Sequence, residues 1–256
     1  MKHRLLQLGL VLMILTTTVS CSKNDGYSLG KFYISVATVN KIDSHTFDLT
    51  LDNGQKLWPA ASNFSWNFNY NLKDSQRVFV NYTLLSDQYG KYDHMVKVND
   101  MWNILTKDVI TLNNDNLQEV GHDPIRINDL WVANDFLNIG FLFNYGGIRP
   151  HTVNLVKNQL TQLDDSEEVL ELEFRHNAFG TGADRLFDGL VCFDLKPFKR
   201  DDADSIKLKI TYKDFPRDGE PSMERSHEVY YKYNSLSAEN ILLEAPVMIV
   251  SKDEYY

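Results

Sequence analysis

Few residues in this chain have the type and spacing to do chemistry, and the sharpest candidates are aromatic. Phe64, Trp66, Phe68 and Tyr70 recur with period two, separated by Ser65, Asn67 and Asn69, so an extended segment would set all four rings on one face. Such a face can stack on sugar rings or on an aromatic peptide. It can equally be the buried side of an amphipathic strand, the commoner use of alternating aromatics, and that reading is favoured here. Cys21 is a candidate of another kind. It follows a basic start (Lys2, His3, Arg4), an apolar run from Leu10 to Leu15 and the small residues Thr16 to Ser20, where a bacterial lipoprotein signal places the cysteine that is acylated and becomes the new N-terminus. Acyl chains bury about 0.8 kcal/mol per CH₂, and two or more give stable anchoring without any span.

Catalytic and metal-binding patterns are not evident. His45, His94, His122, His151, His176 and His227 are scattered one per segment, and isolated histidines of this kind are usually hydrogen-bonded structural or surface residues. For an enzyme assembled from distant loops, His176 with Arg175 and Asp188 are the only nominees. Gly180-Thr181-Gly182 is followed by Ala183-Asp184-Arg185 and by no amphipathic helix, so it reads as a strand-to-strand loop rather than a dinucleotide fingerprint. Asp164 to Glu168 and Asp201 to Asp204 lack the ligand spacing of a calcium loop. The expectation is a protein that is not an enzyme, with no catalytic residues, no metal and no cofactor.

Residues 1–20 read as a lipoprotein signal peptide, whose apolar core is too short for the ~20 residues a membrane span needs. No later stretch is long enough either, so the membrane is expected as a partner only through acyl chains on Cys21, at the cell envelope and most simply the outer membrane. Without residues 1–20 the chain carries 24 basic and 35 acidic side chains, a balance that opposes nucleic acid. Cys192 would then be the one thiol left, in the apolar context Val191-Cys192-Phe193, where it reads as a small buried hydrophobe.

The positioning elements read as strands throughout. Phe32 to Thr38 and Phe47 to Leu51 alternate, and Asp52-Asn53-Gly54 follows as a hairpin signal able to take the positive φ of a type I′ turn. Leu57-Trp58 comes next, with Pro59 ending the pairing or marking an edge. Arg77 to Leu85 and Tyr92 to Val98 complete five strands, the size of a small OB-type barrel. Seven more follow, at Ile125–Val132, Leu137–Phe143, Thr152–Val156, Val169–Phe174, Gly189–Leu195, Ile206–Tyr212 and Glu228–Tyr233, enough for a β-sandwich. Very little helix is expected. Residues 22–112 are neutral and residues 113–256 carry all of the excess negative charge. The domain boundary is therefore placed in the polar tract Asn113 to Asn116, giving a barrel over 21–112, a sandwich over 113–233 and a tail over 234–256.

Several stretches together resemble the NigD-like lipoproteins of Gram-negative anaerobes. They include Leu49-Thr50-Leu51-Asp52-Asn53-Gly54 with Leu57-Trp58-Pro59, Arg77-Val78-Phe79-Val80-Asn81-Tyr82, Asn128-Asp129-Leu130-Trp131, Phe143-Asn144-Tyr145-Gly146-Gly147 and Phe174-Arg175-His176-Asn177-Ala178. The resemblance implies an N-terminal OB domain and a C-terminal β-sandwich. It also implies a role near that of a bacteriocin immunity protein, since the family takes its name from a bacteriocin locus. The expected function is thus a lipid-anchored envelope protein that binds a protein or peptide, with a surface glycan-binding module using Phe64, Trp66, Phe68 and Tyr70 as the alternative. The tail after Tyr233 and the 64–70 run depart from the family pattern.

Overall fold

A computed structural model describes residues 27, 29–44, 46–63, 72–160, 169–182, 185–216 and 221–233. Five strands form a closed barrel: β1 (Tyr33–Lys41), β2 (Phe47–Leu51), β3 (Lys56–Ser62), β4 (Arg77–Ser86) and β5 (His94–Asn103), in the order β1-β2-β3-β5-β4. Closure leaves no unpaired edge within the barrel. Its interior is filled by β-branched and aliphatic residues such as Val39, Leu49, Leu57, Val78, Val80, Val96 and Val98. Along β1 the inward set is Ala37 and Val39, while Val36 on the opposite face packs with Phe79, Ile104, Phe136 and Cys192 against the second domain.

Two local expectations are corrected. The hairpin pairing of β3 with β2 stops at Leu57, ahead of Pro59, but Pro59 marks no edge, because β3 goes on pairing with β5. The strand continues to Ser62, and the register shifts between Pro59 and Ala61, a bulge that accommodates the residue lacking an N–H. The Asp52-Asn53-Gly54 hairpin forms, but only Gly54 takes positive φ (86°) and Leu51 N–H bonds Gln55 C=O across three loop residues, the wider loop form closed by one left-handed glycine. The pair of positive φ values that a type I′ turn requires occurs elsewhere, at Asn134 (49°) and Asp135 (68°).

That second turn joins β8 (Arg126–Ala133) to β9 (Phe136–Asn144) in the sandwich. One sheet is four-stranded, ordered β6-β12-β9-β8, with β6 (Leu105–Asp108) and β12 (Leu186–Asp194). The other is five-stranded, ordered β14-β13-β11-β10-β7, with β7 (Ile110–Leu112), β10 (Thr152–Asn158), β11 (Val169–Asn177), β13 (Ser205–Lys213) and β14 (Glu224–Lys232). All seven expected strands are present, and β6 and β7 are additional. They place the change of pairing partner at Ile104–Leu105, ahead of the Asn113 tract where the charge break had set the boundary. The chain enters one sheet alongside β12, crosses at Val109 and joins the other alongside β10. The polar tract instead precedes α1 (Leu117–Val120), a single helical turn.

The core lies between the two sheets. Leu170, Leu172 and Phe174 point in, and Glu171, Glu173 and Arg175 alternate outward as the sequence pattern requires. Gly189 is needed there, because a Cβ would stand 2.4 Å from the Phe141 ring. No helix among the described residues is long and apolar enough to cross a membrane.

Candidate functional site at the loop end of the sandwich

Two arginine-centred regions organise the molecule, one at each end of the sandwich. The near end abuts the barrel. Arg77 opens β4 fully buried and makes a two-point ion pair with Asp52, at 2.7 Å to each carboxylate oxygen, while donating to Thr38 Oγ1 (2.8 Å) and across the domain boundary to Asn138 Oδ1 (2.7 Å). Asp52 also accepts from Trp131 Nε1 at 2.7 Å and from the Asn134 amide, so the β2–β3 loop is tied to the β8–β9 turn. Burial works against the Arg77 charge, yet the adjacent Asp52 carboxylate outweighs it and the guanidinium pKa is raised. Cys192 donates its thiol to Asn138 Oδ1 at 3.0 Å, and burial pushes that thiol up to about 11. It is the inert buried hydrophobe expected of it.

The far end is built from the loop between β9 and β10 (145–151) and the loop between β11 and β12, of which 178–182 and 185 are described. Tyr145 N–H donates to Arg185 C=O (3.2 Å) and Gly146 N–H to Thr181 C=O (3.0 Å), which fastens the two loops together. A third segment supports them from below. Asp123 Oδ2 accepts from Ala178 N–H at 2.7 Å, and the Asn177 amide donates to the Gln118 and Glu119 carbonyls at 2.9 Å. Gly121, at φ 70°, allows this approach, since a Cβ there would meet the Asn177 side chain at 2.6 Å.

Above that base lies a cluster of rings. Tyr145 packs edge-on against His151 (5.1 Å between centroids) and Phe187 (5.7 Å), with Phe143 touching all three and His176 as well. The register Val153↔His176 across β10 and β11 brings His151 and His176 together, Nδ1 to Nε2, at 3.0 Å. Their tautomers follow from the partners. His176 Nδ1 faces the Pro124 carbonyl (3.1 Å), which can only accept, so neutral His176 presents a lone pair at Nε2 and His151 Nδ1 must donate to it. His151 Nε2 then faces the Thr181 hydroxyl at 3.1 Å, whose own proton is donated to the Ala178 carbonyl at 2.7 Å. Burial lowers the pKa of both histidines, against smaller raising contributions from their backbone hydrogen-bond partners and from Asp123, so the neutral form of each ring is the one favoured.

The rim of this cluster is cationic. Arg149 Cζ lies 3.5 Å above the Phe179 ring centroid and Arg185 Cζ 4.8 Å above that of Phe187. Ile148 is 83% exposed and Leu186 50%.

Cys21 and the run Phe64, Trp66, Phe68 and Tyr70 lie outside the described residues, and with them the face on which glycan binding was argued. The three enzyme nominees are not assembled. His176 is occupied by His151 and Pro124, Arg175 turns to the other face of β11 to pair with Glu173 at 2.6 Å, and Asp188 on β12 meets Asn128. Sequence reading missed Arg149 and Arg185. Arg185 and Phe187 stand two apart at the start of a strand, a same-face signal that was there to be read; the Arg149–Phe179 stack joins separate loops and has no such signal.

Comparison with known proteins gives a consistent picture. Residues 36–104 match the model of the NigD-like N-terminal OB domain and residues 108–225 that of the NigD-like C-terminal beta sandwich domain. A toxin-related protein by name, from Parabacteroides distasonis, is 32% identical over 80% of this chain and 95% of its own, with a TM-score of 0.65. A protein of unknown function from Bacteroides vulgatus is 27% identical over 81% of this chain and 94% of its own, with a TM-score of 0.64. A NigD-like immunity protein from Bacteroides caccae shares the fold at 17% identity and a TM-score of 0.62, over 82% of this chain and 100% of its own. No curated protein matches the chain.

Proposed function

Because the chain belongs to the NigD-like family, carrying its OB and sandwich domains in that order, we propose that it is a lipid-anchored envelope protein of immunity type. It binds another protein and does no chemistry on it. The observation that carries this reading is the contrast in the sandwich. Its near end is committed to the barrel through Arg77 and Asp52, while its far end presents fastened loops, a ring cluster and exposed Ile148. β9 runs nine residues between the two ends, about 30 Å at ~3.4 Å per residue, so a chain tethered at Cys21 ahead of the barrel would hold its loop end away from the lipid. The names of two structural neighbours, one toxin-related and one a NigD-like immunity protein, support the same reading. Sequestering a toxin at the membrane requires only such a surface on such a tether.

The test is genetic and biochemical together. Deleting the gene should make the parent strain sensitive to its own concentrated spent medium, and the full chain should restore resistance from a detergent-requiring membrane fraction. Cys21→Ala should leave the protein in the soluble fraction. A deletion strain as resistant as its parent overturns the immunity role, and a Cys21→Ala chain that stays with the membrane overturns the tether.

A further inference from the structure

Of the seven arginines among the described residues, five are paired with a carboxylate: Arg77 with Asp52, Arg126 and Arg225 with Asp214, Arg175 with Glu173, and Arg200 with Asp202. The remaining two are Arg149 and Arg185, and among the described residues neither meets an acid. In a chain with 35 acidic and 26 basic side chains, unpaired arginines are the exception, and these two share one end of one domain. Both lie over an aromatic ring. Stacking covers the guanidinium face and leaves its edge, with the N–H fork, free to donate to an oxygen pair in the ring's plane.

The backbone is held in an unfavourable conformation to make one of these stacks. Phe179 has φ 51°, a left-handed conformation that costs a residue with a bulky side chain about 1–2 kcal/mol. Its N–H is held by Asn177 Oδ1 at 2.8 Å, and the next turn by the Thr181 N–H to Ala178 C=O bond at 2.9 Å. What the strained turn delivers is a ring beneath Arg149. The loop-to-loop bond from Tyr145 N–H to Arg185 C=O then holds the backbone of the second arginine to the loop that carries the first, with their chain neighbours Ile148 and Leu186 exposed.

We propose that Arg149 and Arg185 form a clamp for a carboxylate-bearing segment of a partner protein, with an apolar side chain of that segment set against Ile148 and Leu186. This rests on the protein-binding reading and names the chemistry of the partner. Charge complementarity selects it, since two planar forks suit carboxylates and a chain of net acidic charge is a poor match for a polyanion.

The experiment uses the full chain carrying Cys21→Ala, so that no acyl chain binds lipid by itself, and an array of fluorescein-labelled octapeptides, each with two Glu flanking a Leu, beside copies carrying Gln for Glu. Phosphatidylglycerol vesicles form a separate arm. Anisotropy should show Glu peptides bound at least about tenfold more tightly than their Gln copies, and Arg149→Ala and Arg185→Ala should each remove that preference. Lys232→Ala, at an exposed position on the opposite end of β14, should leave it intact. Equal binding of Glu and Gln peptides, no Glu peptide retained, a preference that survives both arginine variants, or vesicles bound in place of peptides would each overturn the clamp. None of these readouts depends on toxin killing, so the clamp and the immunity role can fail separately.

Discussion

Arg77 and the pair Arg149 and Arg185 sit at opposite ends of the same sandwich and put the same functional group to different uses. Arg77 has no exposure, its charge is matched by Asp52, and its two terminal nitrogens also donate to Thr38 and, across the domain boundary, Asn138. At the loop end both arginines are exposed and, among the described residues, their guanidiniums meet rings and no carboxylate. The first arrangement is an ion pair internal to the barrel, to which the docked sandwich adds Asn138, Trp131 and Asn134 as partners, so removing either member of the pair leaves a buried unmatched group. The second is already stable and still incomplete, since its donors await acceptors. A buried arginine paired with a carboxylate serves the fold, and an exposed one pre-positioned without a carboxylate serves recognition.

The largest expected effect follows from breaking the near end. Asp52→Ala strands the Arg77 charge and also frees Trp131 Nε1 and the Asn134 amide, so it should cost about 3–5 kcal/mol in urea unfolding. It should also separate one cooperative transition into two, as the domains lose their tie. A loss under about 1 kcal/mol, with a single transition kept, would mean that apolar contacts around Phe136 and Ile104 hold the domains and that the ion pair is incidental.

A smaller effect is expected from the loop end on changing pH. The pKa values of His122, His151 and His176 are all lowered from 6.5, by burial first. The folded chain thus binds these protons less readily than the unfolded one. Their contribution is complete above about pH 6.5 and is lost as pH falls below it toward the folded values. Melting temperature should therefore drop between pH 7 and pH 5, and the drop should be shallower in a His151→Gln, His176→Gln double variant. An unchanged slope in that variant would show that the pair is not what the fold loses on acidification.

The sequence made the strands legible where burial imposes a period of two, as in Leu170 to Arg175, and the family pattern made the two domains legible. It concealed β6 and β7 because strands of four and three residues, each paired in parallel with a distant strand, carry no local turn signal. The charge break at Asn113 reported a change in surface composition, and the pairing changed earlier, at Leu105. The site was concealed for another reason. His151 meets His176 only through the register of β10 on β11, and Arg77 meets Asn138 only through domain docking. Neither can be read from spacing along the chain. The type I′ turn at Asn134–Asp135 lacks the glycine that would have advertised it, and its Asn134 side chain is spent on the barrel.

The claim that the loop-end arginines serve a partner and not the fold is tested most directly by calorimetric unfolding of the Arg149→Ala, Arg185→Ala double variant at pH 7. It should unfold within about 0.5 kcal/mol of the parent chain, as surface substitutions without buried partners do. A loss of about 2 kcal/mol or more would place these arginines with Arg77 as part of the fold and contradict the account.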